Sequence, residues 1–265
     1  AHTPVPEYIR LIAAGHYSDA YMINWRSNVF PGILGRVCDR PCEPACRRGR
    51  VDKEPVAICR LKRVAADLKD DITGRLPRPQ KTNGKRIACV GAGPASLTVA
   101  RDLAVLGYQI TVFDNGAAPG GMMRSQIPKF RLPDDVIDEE CGYIIGLGVE
   151  TRYNQWVGSL RELMAEGWDA VFVGTGAPRG RDAPIPGREE AAKHIHIGID
   201  WLANVAFGHT TKISKRVIVL GGGNTAMDCC RSARRMGGDD VKVIVRSGFE
   251  EMKASPWEKE EAIHE

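Results

Sequence analysis

The chain has 265 residues, of which 43% are hydrophobic and 26% charged, and its net charge is +4 at neutral pH. This length exceeds the roughly 100–200 residues of a single domain, so two or three domains are expected. The small net charge does not indicate a nucleic-acid-binding protein, and no apolar run approaches the roughly 20 residues that cross a bilayer. Residues 1–14 also contain no uninterrupted apolar core of a signal peptide, which predicts a cytoplasmic protein.

Residues 1–75 are predicted to form a helical domain, because this part of the chain carries no strand signal. Apolar residues recur at helical spacing in Val5–Ala14 and Ser18–Trp25. Three prolines in Asn28–Arg50 favour loops and turns in that segment. A further helix is predicted over Pro55–Leu68, and a polar linker follows at residues 69–85.

Four cysteines of this domain are spaced C-x3-C-x3-C-x12-C: Cys38, Cys42, Cys46 and Cys59. Zinc knuckles usually show pairs with two to four intervening residues, whereas closely spaced thiolates are typical of a [4Fe–4S] cluster. A cytoplasmic protein keeps its thiols reduced, so metal ligands are favoured over disulfides, with zinc as the alternative metal. Nearby arginines would stabilise an anionic cluster or attract an acidic partner: Arg36, Arg40, Arg47, Arg48 and Arg50.

From residue 86 onward the pattern changes to alternating strands and helices. Gly91 permits a tight turn after the first strand, and Gly93 lets backbone N–H groups approach a pyrophosphate. Dinucleotide-binding loops usually have a third glycine three residues after the second, and Ser96 occupies that position here. Asp114 lies 23 residues after Gly91, where a carboxylate can bind ribose hydroxyls. The predicted elements are strand Arg86–Val90, helix Ala95–Leu106 and strand Gln109–Phe113.

Two later segments favour FAD as the ligand of this first unit. Gly120–Met123 supplies flexible backbone near the expected position of an isoalloxazine ring. An apolar strand, Ala170–Val173, ends in the turn Gly174–Gly176, which suits a close approach of backbone to ligand.

The same strand–loop–helix pattern occurs again about 130 residues later. The strand Arg216–Leu220 leads into the glycine-rich loop Gly221–Asn224, the helix Thr225–Met236 and the strand Val241–Val245. Arg246 follows the second strand, where an arginine favours the 2′-phosphate of NADP(H), although it can equally stack on adenine. Two nucleotide-binding domains are therefore predicted, at residues 84–210 and 211–265, the second of them partial.

Four short motifs resemble the N-terminal iron–sulfur domain of the glutamate synthase small (beta) subunit family: Gly35–Cys38, Pro41–Glu43, Cys46–Gly49 and Pro55–Ile58. Dihydropyrimidine dehydrogenase has a related domain. The resemblance continues to Arg246 and covers essentially the whole chain. It implies an α/β protein with a helical iron–sulfur domain followed by two Rossmann-type domains, the first for FAD and an inserted second one for NADPH. It also implies that the second domain continues beyond Glu265.

The loops and the resemblance together assign the cofactor contacts residue by residue. The cluster ligands are the four cysteines of the helical domain, and a second cluster upstream of residue 1 would take Cys46. The chain departs from the family pattern at Asp114, where glutamate is more usual, and at Ser247, where a second arginine is frequent. The predicted dinucleotide contacts are Gly91, Gly93, Pro94, Ala95, Asp114, Gly121, Met122, Arg124, Ile127, Gly174, Thr175, Gly176, Gly221, Gly223, Asn224, Thr225 and Arg246.

By this resemblance we expect an electron-transfer flavoprotein subunit that passes electrons between NAD(P)H, FAD and a [4Fe–4S] cluster. Its partner would be a separate redox subunit or ferredoxin-like protein, in a hetero-oligomer, and no general acid or base is predicted. Two alternatives stay open at this point. A thioredoxin-reductase-like enzyme would need a redox-active cysteine pair near the flavin, and a nucleotide-binding scaffold with a structural metal would need no turnover. The absence of an initiator Met suggests that the sequence begins inside a longer product.

Overall fold

The computed structural model describes residues 3–265, and the chain divides into two compact units. The first unit extends to Gly121 and includes Arg131–Thr175. The second contains Met122–Phe130 and Gly176–Glu265. The predicted boundaries at residues 75, 84, 210 and 211 stay predictions. Within residues 3–265, no helix combines the length and apolar character needed to cross a bilayer.

The first unit begins with four helices that pack on a small apolar core. Tyr8, Ala20, Ile58 and Ala65 are buried in this core, and the Tyr8 hydroxyl donates a 2.8 Å hydrogen bond to the carbonyl oxygen of Ile58. A buried tyrosine hydroxyl needs such a partner, because an unpaired polar group in the core costs free energy. The helices are α1 (Val5–Ala13), α2 (Tyr17–Ser27), α3 (Pro31–Val37) and α4 (Ile58–Leu68).

The cysteines of Asn28–Arg50 lie on loops and turns, as predicted, while the same segment also contains the unpredicted helix α3. Pro31 occupies the first helical position, where its fixed φ suits a helix and its missing N–H is not needed. Helix α4 begins at Ile58 rather than Pro55, which places Cys59 in the first turn instead of the second. Gly35 allows α3 and α4 to touch, since a Cβ there would lie 2.7 Å from the backbone nitrogen of Arg63.

The rest of the first unit is a four-stranded parallel sheet in the order β3-β2-β1-β4. Strands β1 and β2 are buried at every position after the first, as expected for strands covered on both faces. Ile87 pairs with Ile110 and with Ala170 across the sheet. The elements in chain order are β1 (Arg86–Val90), α5 (Pro94–Ala104), β2 (Gln109–Phe113), α6 (Met122–Ser125, in the second unit), α7 (Asp134–Ile145), β3 (Glu150–Arg152), α8 (Leu160–Ala165) and β4 (Ala170–Val173).

The second unit contains a parallel pair of strands and the helices that pack on it. Its core consists of Ala226, Met227 and Ala254, with Val219 and Val243 of the two strands packed against them. The elements are α9 (Gly198–Ala206), β5 (Arg216–Leu220), α10 (Asn224–Arg235), β6 (Asp240–Ile244) and α11 (Pro256–His264).

Candidate functional site

The first glycine loop approaches the turn after β4 so closely that only glycine fits. Gly91 has φ +97°, and a Cβ at this position would lie 2.5 Å from the carbonyl oxygen of Gly174. The Gly91 N–H donates to the carbonyl oxygen of Phe113 at 2.7 Å, which fixes the loop to the end of β2. The glycines at 91 and 174 therefore bring two strand ends together, as the sequence predicted for a ligand-approach turn.

Ser96 fills the space that a third glycine would leave in the first turn of α5. Its side chain is fully buried, and a Cβ on Gly174 would overlap its hydroxyl oxygen. On the other side of the loop, a Cβ on Gly121 would lie 2.8 Å from the Cα of Gly93. Gly93 is the N-cap of α5 and no side chain caps this helix. The N-terminal N–H groups of α5 are thus not bonded by a capping side chain, which suits a phosphate.

Asp114 binds the glycine loop itself. Its Oδ2 accepts a 2.6 Å hydrogen bond from the backbone nitrogen of Ala92, and its Oδ1 accepts one of 2.7 Å from Gly116. Sequence reasoning expected only a ribose contact and missed this role. Since each carboxylate oxygen has a further lone pair, the loop contacts leave room for a ribose hydroxyl.

The remaining predicted contacts of this cofactor lie on short segments, some in the first unit and some in the second. Thr175 is exposed after β4, and Gly176, also exposed, begins the next stretch of the second unit. Met122 begins α6 with 47% of its side chain exposed, while Arg124 and Ile127 are half-buried.

The second glycine loop is fixed by the segment that precedes α11. Gly222 has no space for a side chain, because a Cβ would lie 2.9 Å from Cγ1 of Val245. The Ala254 N–H donates to the Gly222 carbonyl at 2.8 Å, and the Ser255 N–H donates to Oδ1 of Asn224 at the same distance. These contacts make Asn224 a structural residue of the loop, a role that no motif in the sequence signalled.

The other predicted contact residues of the second unit lie on this loop and just beyond β6. Gly221 has φ +131°, a conformation that favours glycine. Gly223 is the N-cap of α10, and no side chain caps that helix. Thr225 and Arg246 are exposed, the latter just beyond the end of β6. The loop can therefore present uncapped N–H groups and a nearby cation to a dinucleotide phosphate.

Two of the four predicted cluster ligands, Cys38 and Cys59, influence each other's pKa. The Cys59 thiol donates to the Leu34 carbonyl oxygen at 3.0 Å, and the Arg40 N–H donates to Cys38 Sγ at 3.4 Å. Cys38 follows α3, and Cys59 lies at the start of α4. The interaction with Cys59 holds the pKa of the Cys38 thiol well below its ordinary value, with help from the Arg40 backbone N–H. The same interaction and burial raise the pKa of Cys59. The pair therefore carries one thiolate near neutral pH, which is the form that binds metal.

The other two cysteines lie on the loop between α3 and α4. Cys42 is exposed, and Cys46 precedes a short 3₁₀ turn, Arg47–Arg50. Backbone hydrogen bonds lower the pKa of Cys46, and the bond with Val56 has the largest effect. All eight cysteines of the chain are free thiols.

This donor set fits a thiolate-bound cluster. A four-iron cluster places each thiolate on a different iron, so its ligands do not converge on one point. Within residues 3–265, no three His, Cys, Asp or Glu side chains converge on a single ion position.

Comparison with known families decides the class. Residues 85–260 match the model described as pyridine nucleotide-disulphide oxidoreductase. The chain belongs to this family. Residues 1–73 match the model described as domain II of dihydropyrimidine dehydrogenase, with a 4Fe–4S cluster. The cofactors of the chain are therefore FAD, a nicotinamide dinucleotide and a [4Fe–4S] cluster, as predicted.

Curated relatives confirm the resemblance to the glutamate synthase small subunit family. The chain is 37% identical to the "NADP(+)-dependent formate dehydrogenase subunit beta" of Moorella thermoacetica, over 99% of its own length and 40% of the relative. It is 32% identical to the "Glutamate synthase [NADPH] small chain" of Mycobacterium tuberculosis, over 96% of its own length and 55% of the relative. The chain thus spans about half the length of these relatives.

Solved structures confirm the α/β fold class. FprA from Mycobacterium tuberculosis, as a His57Gln mutant, superposes with a TM-score of 0.57 at 21% identity. The superposition covers 71% of this chain and 48% of FprA. At this identity the likeness concerns the fold alone.

Proposed function

We propose that the chain is the electron-input part of an NADPH-dependent flavoprotein that delivers electrons through its iron–sulfur cluster to a partner subunit. One observation carries the proposal. The four predicted cluster cysteines and the first dinucleotide loop belong to one compact unit. A protein that only sensed nucleotides would have no need to build a redox centre into the unit that holds its flavin.

The chain's own residues would hold FAD by its pyrophosphate and ribose. Gly91 and Gly93 let backbone approach the pyrophosphate at the N-terminus of α5, and Asp114 binds the ribose while holding the loop. Gly121, Met122, Arg124, Ile127 and the turn Gly174–Gly176 would line the rest of the cofactor. Bound FAD supplies the ability to accept a hydride and release electrons singly, and the protein supplies position and electrostatics.

NADPH is the proposed electron donor. Gly221, Gly223 and Thr225 would receive its pyrophosphate at the N-terminus of α10, with Asn224 holding the loop. Arg246 would pair with the 2′-phosphate, because its guanidinium is exposed close to the end of β6. The two relatives named above carry NADP(+) and NADPH in their names, which supports this choice.

Cys38, Cys42, Cys46 and Cys59 are the proposed cluster ligands. The lowered pKa values of Cys38 and Cys46 support thiolate ligation. The word subunit in the name of the formate dehydrogenase relative supports a hetero-oligomer. We place the protein in the cytoplasm, where reduced thiols such as these eight persist.

An anaerobic absorbance titration with NADPH, and separately with NADH, tests the proposal alongside iron and sulfide analysis. We expect NADPH to bleach the flavin band and then the cluster absorbance, with about four irons per cluster. The Arg246→Ala variant should bind NADPH about tenfold more weakly and NADH unchanged, because one charge-assisted contact is lost. Zinc in place of iron, or flavin that neither nucleotide reduces, would leave only a binding or scaffold role.

A further inference from the structure

A buried carboxylate on α7 joins that helix to α2 and to α3, the helix that precedes Cys38. Glu140, on α7, is only 1% exposed, and its carboxyl accepts three hydrogen bonds. The backbone nitrogens of Gly32 and Ile33 donate at 2.7 and 2.9 Å, and the Tyr21 hydroxyl donates at 2.7 Å. The donors lie 107 to 119 residues away in sequence, so one side chain connects α2 and α3 to α7.

The contact is made at the N-terminus of α3, the helix that ends immediately before Cys38. Two of the N–H groups that a helix leaves unbonded at its N-terminus are satisfied there by Glu140, and no side chain within α3 caps it. Gly32 allows the close approach, since a Cβ would lie 3.1 Å from Oε1 of Glu140. Helix α3 has only seven residues, about two turns, so a contact that fixes its first turn also restricts the position of Cys38 at its end.

A second contact beside Glu140 joins the end of α4 to α7 and α2. Lys69, just after α4, forms a 2.8 Å ion pair with Glu139 and lies over the rings of Tyr21 and Tyr143. The Lys69 side chain is only 5% exposed, so this pair is more strongly held than an exposed one. The charged and titratable groups that surround Glu140 are Tyr21 from α2, Lys69 beyond α4, and Glu139 and Tyr143 from its own helix.

We propose that Glu140 is a positioning residue for electron transfer, which fixes α3, and with it the following Cys38, to helix α7 of the unit that contains the first dinucleotide loop. This inference rests on the proposed function, because it assigns the path between the flavin and the cluster. Electron transfer depends steeply on separation, so a junction that loosens α3 slows cluster reduction without touching the nucleotide-binding loops. The residue contacts neither a predicted cofactor ligand nor a glycine of either loop.

Stopped-flow reduction of the cofactor-loaded chain by NADPH separates the two steps, since flavin and cluster absorb differently. Glu140→Ala should leave flavin reduction within about twofold of wild type and slow cluster reduction at least about tenfold, the size of effect that small misplacements produce. Glu140→Gln should be intermediate, because its single carbonyl oxygen still accepts from Gly32 and Tyr21. Asp135→Asn is the matched control, since it removes one exposed carboxylate from the same helix without a contact to α3.

Hydrogen exchange at the backbone amides of Gly32 and Ile33 gives a readout independent of turnover. Burial raises the pKa of Glu140 from 4.5 to about 7, against the opposing effect of its three donors and Lys69. A raised folded pKa means that the junction is strongest below about pH 4.5 and weakens as pH rises through about 7. The protection factors of the two amides should fall across that range in wild type and stay level in Glu140→Gln.

The outcomes separate this proposal from the proposed function. Flavin that NADPH does not reduce in wild type overturns the proposed function, whatever the amides show. Normal cluster reduction in Glu140→Ala, with flavin reduction intact, overturns the positioning role alone. If Glu140→Ala cannot be purified folded, Glu140→Gln decides: cluster reduction at the wild-type rate, with flavin reduction intact, overturns the proposal, and slowed cluster reduction supports it.

Discussion

A side chain at position 91 would prevent the first glycine loop, the proposed FAD site, from adopting its observed conformation. A Cβ on Gly91 would lie 2.5 Å from the Gly174 carbonyl oxygen, and its φ of +97° strains any other residue. Gly91→Ala should therefore lose FAD and lower the free energy of unfolding of the first unit by about 2–4 kcal/mol. Flavin content of the purified protein and thermal unfolding measure the two effects.

Gly142 offers the matched control for this substitution. It lies in the interior of α7, where a Cβ would meet nothing within 4 Å. Gly142→Ala should leave FAD bound and stabilise the protein by up to about 1 kcal/mol, because alanine has the higher helix propensity. Equal flavin content in the two variants would show that the approach of residues 91 and 174 is not needed for binding.

The thiol of Cys38 should be the most acidic of the paired cysteines. In protein prepared without its cluster, iodoacetamide should modify Cys38 with a pH midpoint below that of an ordinary thiol, about 8.5. Cys59→Ala should move this midpoint upward, because Cys38 then loses the neighbouring thiol that lowers its pKa. Mass spectrometry of peptides alkylated across a pH series measures the midpoint.

The control for this experiment is Cys229→Ala in the second unit, which should leave the modification of Cys38 unchanged. Burial raises the pKa of Cys229 to about 12, so its own thiol should resist alkylation. An unshifted Cys38 midpoint in Cys59→Ala would contradict the pairing of the two thiols.

At the scale of the element, the association of α10 with α11 depends on one buried cation. Arg231 is 4% exposed and pairs with Glu258, Glu261 and Glu265 at 3.1, 2.8 and 2.7 Å. Its guanidinium also lies over the ring of Phe130. Arg231→Ala should destabilise the second unit by about 3–5 kcal/mol, because the buried Glu258 loses its cationic partner.

Chemical denaturation checks this value against an exposed pair of the same unit. Arg216 is 87% exposed at its side chain and lies 3.8 Å from Asp240. Arg216→Ala should change the free energy of unfolding by no more than about 0.5 kcal/mol, as expected for a screened surface pair. Similar effects from the two variants would mean that burial adds nothing to the Arg231 contacts.

Four strands could be predicted from sequence because they are apolar runs, although only β1 and β2 are buried. Strands β1, β2, β4 and β5 have the predicted bounds, and α5 and α10 begin one residue before the predicted ones. Strand β3 was not predicted, since Glu150–Arg152 is a short polar strand at the sheet edge. Helix α3 was missed for a different reason: its N-terminus is completed by a glutamate 107 residues away, which no local pattern reveals.

The same distinction applies to the candidate site. The glycines of both loops were predictable, because the turn and the close approach require their backbone conformation locally. The hydrogen bonds that the Ala92 N–H donates to Asp114, and the Ser255 N–H to Asn224, were not predictable. These contacts depend on which distant segment the fold places beside the loop, and the residue types alone are compatible with many partners.

At the scale of the whole molecule, two compact units with separate ligand loops predict two unfolding transitions. Unit one contains the loop at Gly91, and unit two contains the loop at Gly221. A ligand that binds only the folded state stabilises by RT ln(1 + [L]/Kd), about 2.7 kcal/mol at a hundredfold excess over Kd. In differential scanning calorimetry, NADPH should therefore raise only the transition of the second unit. FAD should mainly raise that of the first unit, with a smaller effect on the second because Met122 and Arg124 lie there.

The variants assign the transitions. Arg231→Ala should lower only the transition that NADPH raises, because its contacts lie wholly in the second unit. Gly91→Ala should abolish the shift caused by FAD and leave the shift caused by NADPH. A single transition that both nucleotides raise, and that both substitutions lower, would mean that the units unfold as one cooperative block, since independent units cannot share their ligand responses.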